Sequence, residues 1–259
     1  MWGDRGLNEP RAAPITALFV SPHFDDIALS CGGTAAIEAR AGRALVVTVF
    51  AGAPTGPLNS FAEFQHQRWG ALDDAVAARR REDDAAMAAL GADSTRLDYH
   101  DAIYRGDLYL SDDDLFGPVK AADQSVADAV AQSVTAIVQQ ASPRRVYLPL
   151  SVGNHVDHQI CTALAARLVA ERLTVLLYED FPYAATPGAV ERRVERLDRT
   201  LKPTIVDISE TIERRLAAIR CYASQVPTIF RHHGRAEDVV RQYASSVGNG
   251  DYAERFWKL

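Results

Sequence analysis

Cysteine is scarce in this 259-residue chain: Cys31, Cys161 and Cys221 are too few and too scattered for a disulfide framework or a cysteine-rich metal site. They are expected to be reduced. Long apolar runs are missing too, and no stretch approaches the ~18 apolar residues of a membrane span. The amino terminus, Met1 to Pro14, carries charges and lacks the apolar core of a secretory signal. A cytoplasmic protein with no membrane partner is therefore expected. Positive charge is in deficit, with 28 Lys and Arg against 34 Asp and Glu. An extended nucleic-acid surface needs clustered Lys and Arg, so that class of partner is not expected. The longest basic cluster, Arg79 to Arg81, runs straight into Glu82, Asp83 and Asp84 and reads as a solvated helix face of mixed sign. A small-molecule partner fits better.

No internal repeat or low-complexity segment divides the chain, and apolar (47%) and charged (24%) shares are those of a packed globular protein. One domain over residues 1–259 is expected, with 1–14 a flexible tail. Apolar, β-rich runs recur at Ile15–Val20, Ala44–Ala51, Arg145–Leu150 and Thr174–Tyr178. Helical periodicity marks Ile27–Arg40, Ala78–Leu90, Asp123–Gln140, His158–Glu171, Ala189–Leu197 and Ser209–Tyr222. This alternation predicts an α/β protein: a three-layer Rossmann-like fold, mainly parallel sheet, with helices on both faces. Gly52–Trp69 and Tyr99–Pro118 show no clear period and are expected to be long loops walling a substrate site. Arg68, Asp101, Tyr104 and Arg105 in them are candidates for touching substrate.

Two clusters carry chemistry. Ser21-Pro22-His23-Phe24-Asp25-Asp26 follows the first strand, and Gly153-Asn154-His155-Val156-Asp157-His158 follows the run Val146–Leu150. Both are expected at the carboxyl edge of the sheet, where open α/β folds bind ligands. One Asp could merely cap the following helix. That leaves the remaining His and carboxylates unexplained. Two His and one Asp suit a catalytic zinc with an open position, and the clusters hold enough further carboxylates to orient a His and to act as base. The same donor set also serves non-haem iron.

The paired motifs resemble those of the PIG-L or LmbE-like N-deacetylases, whose members carry an Ala-His-Pro-Asp-Asp-Glu-like segment and, further on, a His-Pro-Asp-His-like one. Here these places hold Pro22-His23-Phe24-Asp25-Asp26-Ile27 and His155-Val156-Asp157-His158, and the likeness runs to Tyr222-Ala223-Ser224-Gln225. The resemblance implies zinc held by His23, Asp26 and His158, with another divalent ion such as Fe2+ an alternative. It implies Asp25 as general base, His155 as the group that stabilises the oxyanion or protonates the leaving amine, and Asp157 as orienting partner of His155. Phe24 and Ile27 depart from the motif, as does Gly153, where some members have Tyr. The implied activity is hydrolysis of an N-acyl group, probed first as N-acetyl, on an amino sugar or related natural-product intermediate.

Tyr178-Glu179-Asp180-Phe181-Pro182-Tyr183 follows another strand, so Glu179 or Asp180 could bind a substrate hydroxyl or amine; Tyr178 is a reserve candidate for the acid. Cys31-Gly32-Gly33 lacks nucleotide-loop spacing and suggests close helix packing. His66, His100, His232 and His233 read as surface or loop residues, with the last two able to guard a pocket mouth. Two other functions stand beside the deacetylase: a noncatalytic Rossmann-like small-molecule or nucleotide-binding module, in which a second carboxylate beside a ligand has no use, and a metal-dependent esterase or cyclase.

Overall fold

The four apolar runs become strands because each offers β-branched and aromatic side chains to both faces of a sheet. The computed structural model describes residues 13–69, 75–197 and 200–259, so most of the expected amino-terminal tail lies outside the described residues. Its strands are β1 (Ile15–Ser21), β2 (Arg43–Thr48), β3 (Asp93–Arg96), β4 (Arg145–Pro149), β5 (Thr174–Tyr178), β6 (Lys202–Asp207) and β7 (Ala253–Lys258). They form one sheet in the order β3-β2-β1-β4-β5-β7-β6. The first five run parallel, and β7 lies antiparallel to both β5 and β6. The helices are α1 (Asp26–Ala41), α2 (Ser60–Arg68), α3 (Ala75–Leu90), α4 (Asp112–Leu115), α5 (Gln124–Ala141), α6 (Val156–Ala170), α7 (Ala189–Leu197), α8 (Ile212–Cys221), α9 (Val226–Ile229) and α10 (Ala236–Val247).

Alternation along β1 builds two cores. Ala17 and Phe19 join the apolar residues of α1, α3, α8 and α10 on one face, and Phe19 stacks on Tyr147 of β4 at 4.2 Å. Leu18 and Val20 join those of α5, α6 and α7 on the other. The three-layer architecture is therefore as expected. Among the described residues no helix is long and apolar enough to cross a membrane.

Three strands and two longer helices escape the periodicity reading. β3 is short and polar, and β6 is a largely exposed edge strand carrying Pro203, so neither shows an apolar face. The second half of the expected Gly52–Trp69 loop is α2, capped by Asn59, whose side chain accepts from the Ala62 N–H at 2.8 Å. α10 is also unanticipated. His66 lies buried on α2, bonded to the Tyr104 hydroxyl, and is no surface residue. The Arg79–Asp84 run is a solvated face only in part, with Arg81 and Asp84 exposed. Arg79 and Asp83 are buried, and Asp83 pairs with Arg96 and accepts from the Tyr222 hydroxyl.

The helix that opens the site is tied to the far end of the chain. α1 breaks at Cys31, and the N–H groups of Gly33 and Thr34 donate to the Glu254 carboxylate of β7 at 2.9 and 2.8 Å. Arg215 of α8 pairs with that carboxylate and also donates to the Leu29 carbonyl. Gly33 is required by close approach, because a Cβ there would lie 2.7 Å from the branched Cβ of Ile208. Gly33→Ala is expected to cost about 1–3 kcal/mol, as overpacking does. A urea titration checks this, and an unchanged midpoint would show that α1 slides freely.

Candidate active site

Parallel strands place their carboxyl ends together, and both chemistry-bearing clusters leave the sheet there: the first joins β1 to α1, the second joins β4 to α6. They meet in a cavity of about 440 Å³ lined by His23, Asp25, Asp26, His155 and His158, a size common for small-molecule sites.

Asp26 sits between two imidazoles. Its Oδ2 lies 3.6 Å from His23 Nδ1 and its Oδ1 lies 3.5 Å from His158 Nε2, while the His23 backbone N–H donates to Oδ2 at 2.7 Å. One donor atom from each of the three falls within 4.8 Å of the others. The far nitrogen of each ring meets a different acid. His23 Nε2 is 2.9 Å from Asp157 Oδ2, and His158 Nδ1 is 2.6 Å from Asp180 Oδ1. A carboxylate only accepts, so in the neutral form of each ring those nitrogens carry the proton, and His23 Nδ1 and His158 Nε2, beside Asp26, are the nitrogens whose lone pairs could bind a metal.

The orienting acids are held firmly. Asp157 also accepts from Arg105 Nη2 at 2.5 Å and from the Ala102 N–H at 3.1 Å, and Asp180 accepts from the Val152 N–H at 2.9 Å. A second triad, His23, His155 and Asp157, also lies within ligand reach of itself. With Asp157 already committed to Arg105 and Ala102, the first triad is the better metal cradle.

Charge follows this geometry. Burial opposes the imidazolium of His23, yet Asp101, Asp157 and Asp26 outweigh it and raise its pKa to about 9. His158 is raised as well, against burial, by Asp26 and Asp180. Burial raises Asp26 in spite of both histidines. Asp157 is held below the ordinary carboxylate range: burial opposes this, and Arg105 with His23 overcomes it. His155 goes the other way, its pKa pushed well down by burial. Its Nδ1 accepts the Asp157 backbone N–H at 3.2 Å as the N-cap of α6, so a neutral His155 carries its proton on Nε2.

Several expected roles move. The Asp157 carboxylate orients His23 rather than His155. Asp180 orients His158 and, with Glu179, does not line the cavity; Glu179 is taken up by Arg255, Trp257 and Tyr243. Arg105 is the buried clamp on Asp157 and Asp123, and Tyr104 bonds His66; neither lines this cavity. Arg68 and Asp101 do line the cavity, Asp101 with its Oδ2 at 3.6 Å from His23 Nε2, and His232 and His233 stand on its wall. Tyr178 is unavailable as an acid, being buried with its hydroxyl donated to the Val20 carbonyl.

Arg79, expected on a solvated helix face, lines the cavity, as do Trp69 and Tyr183, for which the sequence suggests no role in the site. Arg79 was findable: it shares the stripe Val76, Asp83, Met87 and Leu90 of α3, and a charge on an apolar stripe is a buried charge. Tyr183 packs over Gly153, where a Cβ would come within 2.6 Å of its ring. Gly153 thus makes room for an aromatic wall supplied by another element.

Residues 18–169 match the family described as PIG-L: GlcNAc-PI de-N-acetylase. The 2'-N-acetylparomamine deacetylase of Streptomyces fradiae is 35% identical over 228 residues, covering 86% of this chain and 77% of that protein. The 2'-N-acetylparomamine deacetylase of Niallia circulans is 31% identical over 186 residues, covering 64% and 66%. Among solved structures, the zinc-inhibited form of teicoplanin deacetylase superposes with a TM-score of 0.81 at 30% identity, over 94% of this chain and 97% of that one.

Proposed function

The chain belongs to the PIG-L family of N-deacetylases, and from that premise we propose that it is a zinc-dependent hydrolase that removes an N-acyl group, in the first instance N-acetyl, from an amino sugar or a sugar-bearing natural-product intermediate. The observation that carries this reading is that His23, Asp26 and His158 bring one ligand atom each within 4.8 Å of one another on the cavity wall, with Asp25 lining the same cavity. The donor set fits zinc: two imidazole lone pairs, one carboxylate, and each ring braced by a second carboxylate. His23, Asp26 and His158 would hold the zinc ion, which would supply Lewis acidity toward the acyl carbonyl and water.

The residues do the rest. Asp25 takes a proton from the attacking water as its oxygen bonds the acyl carbon. The Nε2–H of neutral His155 donates to the acyl oxygen as negative charge gathers there. The proton on Asp25 then passes to the amine nitrogen as the carbon–nitrogen bond breaks, leaving the amine and a carboxylic acid, whose remaining proton passes to the amine or to solvent to give the ammonium and the carboxylate. Asp157 and Asp180 keep the two ligand rings in place throughout.

This reading gives His155 a donor's task rather than that of a protonated acid, because burial lowers its pKa and a bound cation lowers it further. His155→Ala should therefore keep its metal, lose roughly 10²–10³-fold in kcat and leave the alkaline limb of the pH profile in place. A limb that moves with the substitution would restore the acid role.

The activity is tested by incubating zinc-loaded protein with 2'-N-acetylparomamine, N-acetylglucosamine and an O-acetylated sugar while measuring released acetate and free amine. Amine release from either N-acetyl compound is the expected result. Acetate from the ester alone would replace the amidase reading with an esterase, and release from none of the three would set aside the amino-sugar class.

A further inference from the structure

Asp25 is the one acid of the site that its own motif leaves unsupported. It holds the N-cap position of α1 but makes no side-chain capping bond. Asp26, Asp157 and Asp180 each accept from at least one backbone N–H. Among the described residues, the sole polar partner of the Asp25 side chain is Arg79, whose Nη2 lies 3.5 Å from Oδ1.

The dependence is mutual. Arg79 is 8% exposed, its Nε finds no hydrogen-bond partner, and Asp25 is its only ion-pair partner among the described residues. Its guanidinium lies over two aromatic rings, 5.3 Å from the centroid of Phe24 and 5.1 Å from that of Trp69. Such contacts fix the plane of a guanidinium, and a buried cation of this kind requires an anion. Phe24 is the residue at which the first motif departs from proline. A pyrrolidine ring has no π face, so Phe24 offers Arg79 a contact that the proline of the motif could not.

We propose that Arg79, gripped between Phe24 and Trp69, is a positioning residue that sets the orientation of the Asp25 carboxylate in the cavity, and that Phe24 is the substitution in the motif that makes this grip. The inference rests on the reading of Asp25 as the base. The clamp acts from α3, and Arg79 offers no ligand atom, so it orients the base without binding the metal.

A double-mutant cycle with zinc-loaded protein and 2'-N-acetylparomamine tests it. Arg79→Ala should lower kcat by roughly 10- to 100-fold, within the range of coupled neighbours, while metal content stays at the wild-type level. In an Asp25→Asn background the same substitution should cost less than about twofold. Guanidinium at a non-denaturing concentration should restore part of the turnover of Arg79→Ala and none of that of the double variant. Phe24→Leu should give a smaller loss in the same direction. Where Arg79→Ala does not fold, Arg79→Lys takes its place in the cycle. Wild-type turnover in the arginine variant, or losses that simply multiply in the double variant, would overturn the clamp. Wild-type turnover in Asp25→Asn would overturn the base assignment first, and the clamp with it.

Discussion

Asp25→Asn is expected to retain the bound metal and to lose roughly 10²–10⁴-fold in kcat, the usual worth of a positioned general base. The amide is nearly isosteric with the carboxylate and Asp25 is not one of the proposed ligands, so the metal cradle is left intact even though Arg79 loses the anion it pairs with. What changes is that an amide cannot accept a proton from water. The neighbouring residue behaves differently. Asp26 bridges His23 and His158 and accepts the His23 backbone N–H, so Asp26→Ala should weaken metal binding itself. Two adjacent carboxylates thus separate into two phenotypes, one read by turnover at full metal content and the other by metal content. Metal analysis after dialysis alongside steady-state kinetics distinguishes them. Equal metal loss in both variants would mean that the two acids share one role.

His158→Ala should lose nearly all tightly bound metal and with it all measurable hydrolysis, since one of three protein ligands disappears. Asp180→Asn, which loosens the His158 ring without removing it, should weaken metal affinity by about 10–100-fold. The metal-free site also sets a pH dependence. His23 binds a proton with a pKa raised to about 9, burial opposing and Asp101 with Asp157 and Asp26 prevailing. Ligation through Nδ1 needs that nitrogen unprotonated, so below about 9 the metal must displace a proton. Apparent zinc affinity should rise with pH, roughly tenfold per unit for each proton displaced, and flatten above about pH 9. Calorimetry in buffers of different ionisation enthalpy counts the released protons. An affinity independent of pH between 6.5 and 9 would remove His23 from the ligand set.

Some of the sheet was open to a reader of residues and some was not. β1, β4 and β5 are buried on both faces, so their sequences are continuous apolar runs. β6 carries exposed side chains along nearly its whole length and is held mainly by its ladder with β7. A strand stabilised by backbone pairing at an edge leaves little trace in side-chain pattern. α2 gave a weak signal for a related reason: part of its inner face meets the polar cavity through Gln65 and Arg68 rather than an apolar core.

The site divides along the same line. The local motifs bring together the ligand-type atoms of His23, Asp26, His155 and His158, because each short cluster sits where a parallel strand ends and a helix begins, and backbone geometry there is dictated by a few neighbouring residues. Composition alone argued against a disulfide scaffold, and Cys31, Cys161 and Cys221 are free. Pairings across long stretches of chain are another matter. Asp157 reaches His23 across 134 residues and Asp180 reaches His158 from the end of another strand, while Arg79 meets Asp25 from α3. Nothing in a stretch of sequence records which of several acids will face which ring, since that depends on how separate elements pack. Residue type announces that a proton or a metal can be held; distance and burial, which exist only once the layers have closed, assign the task.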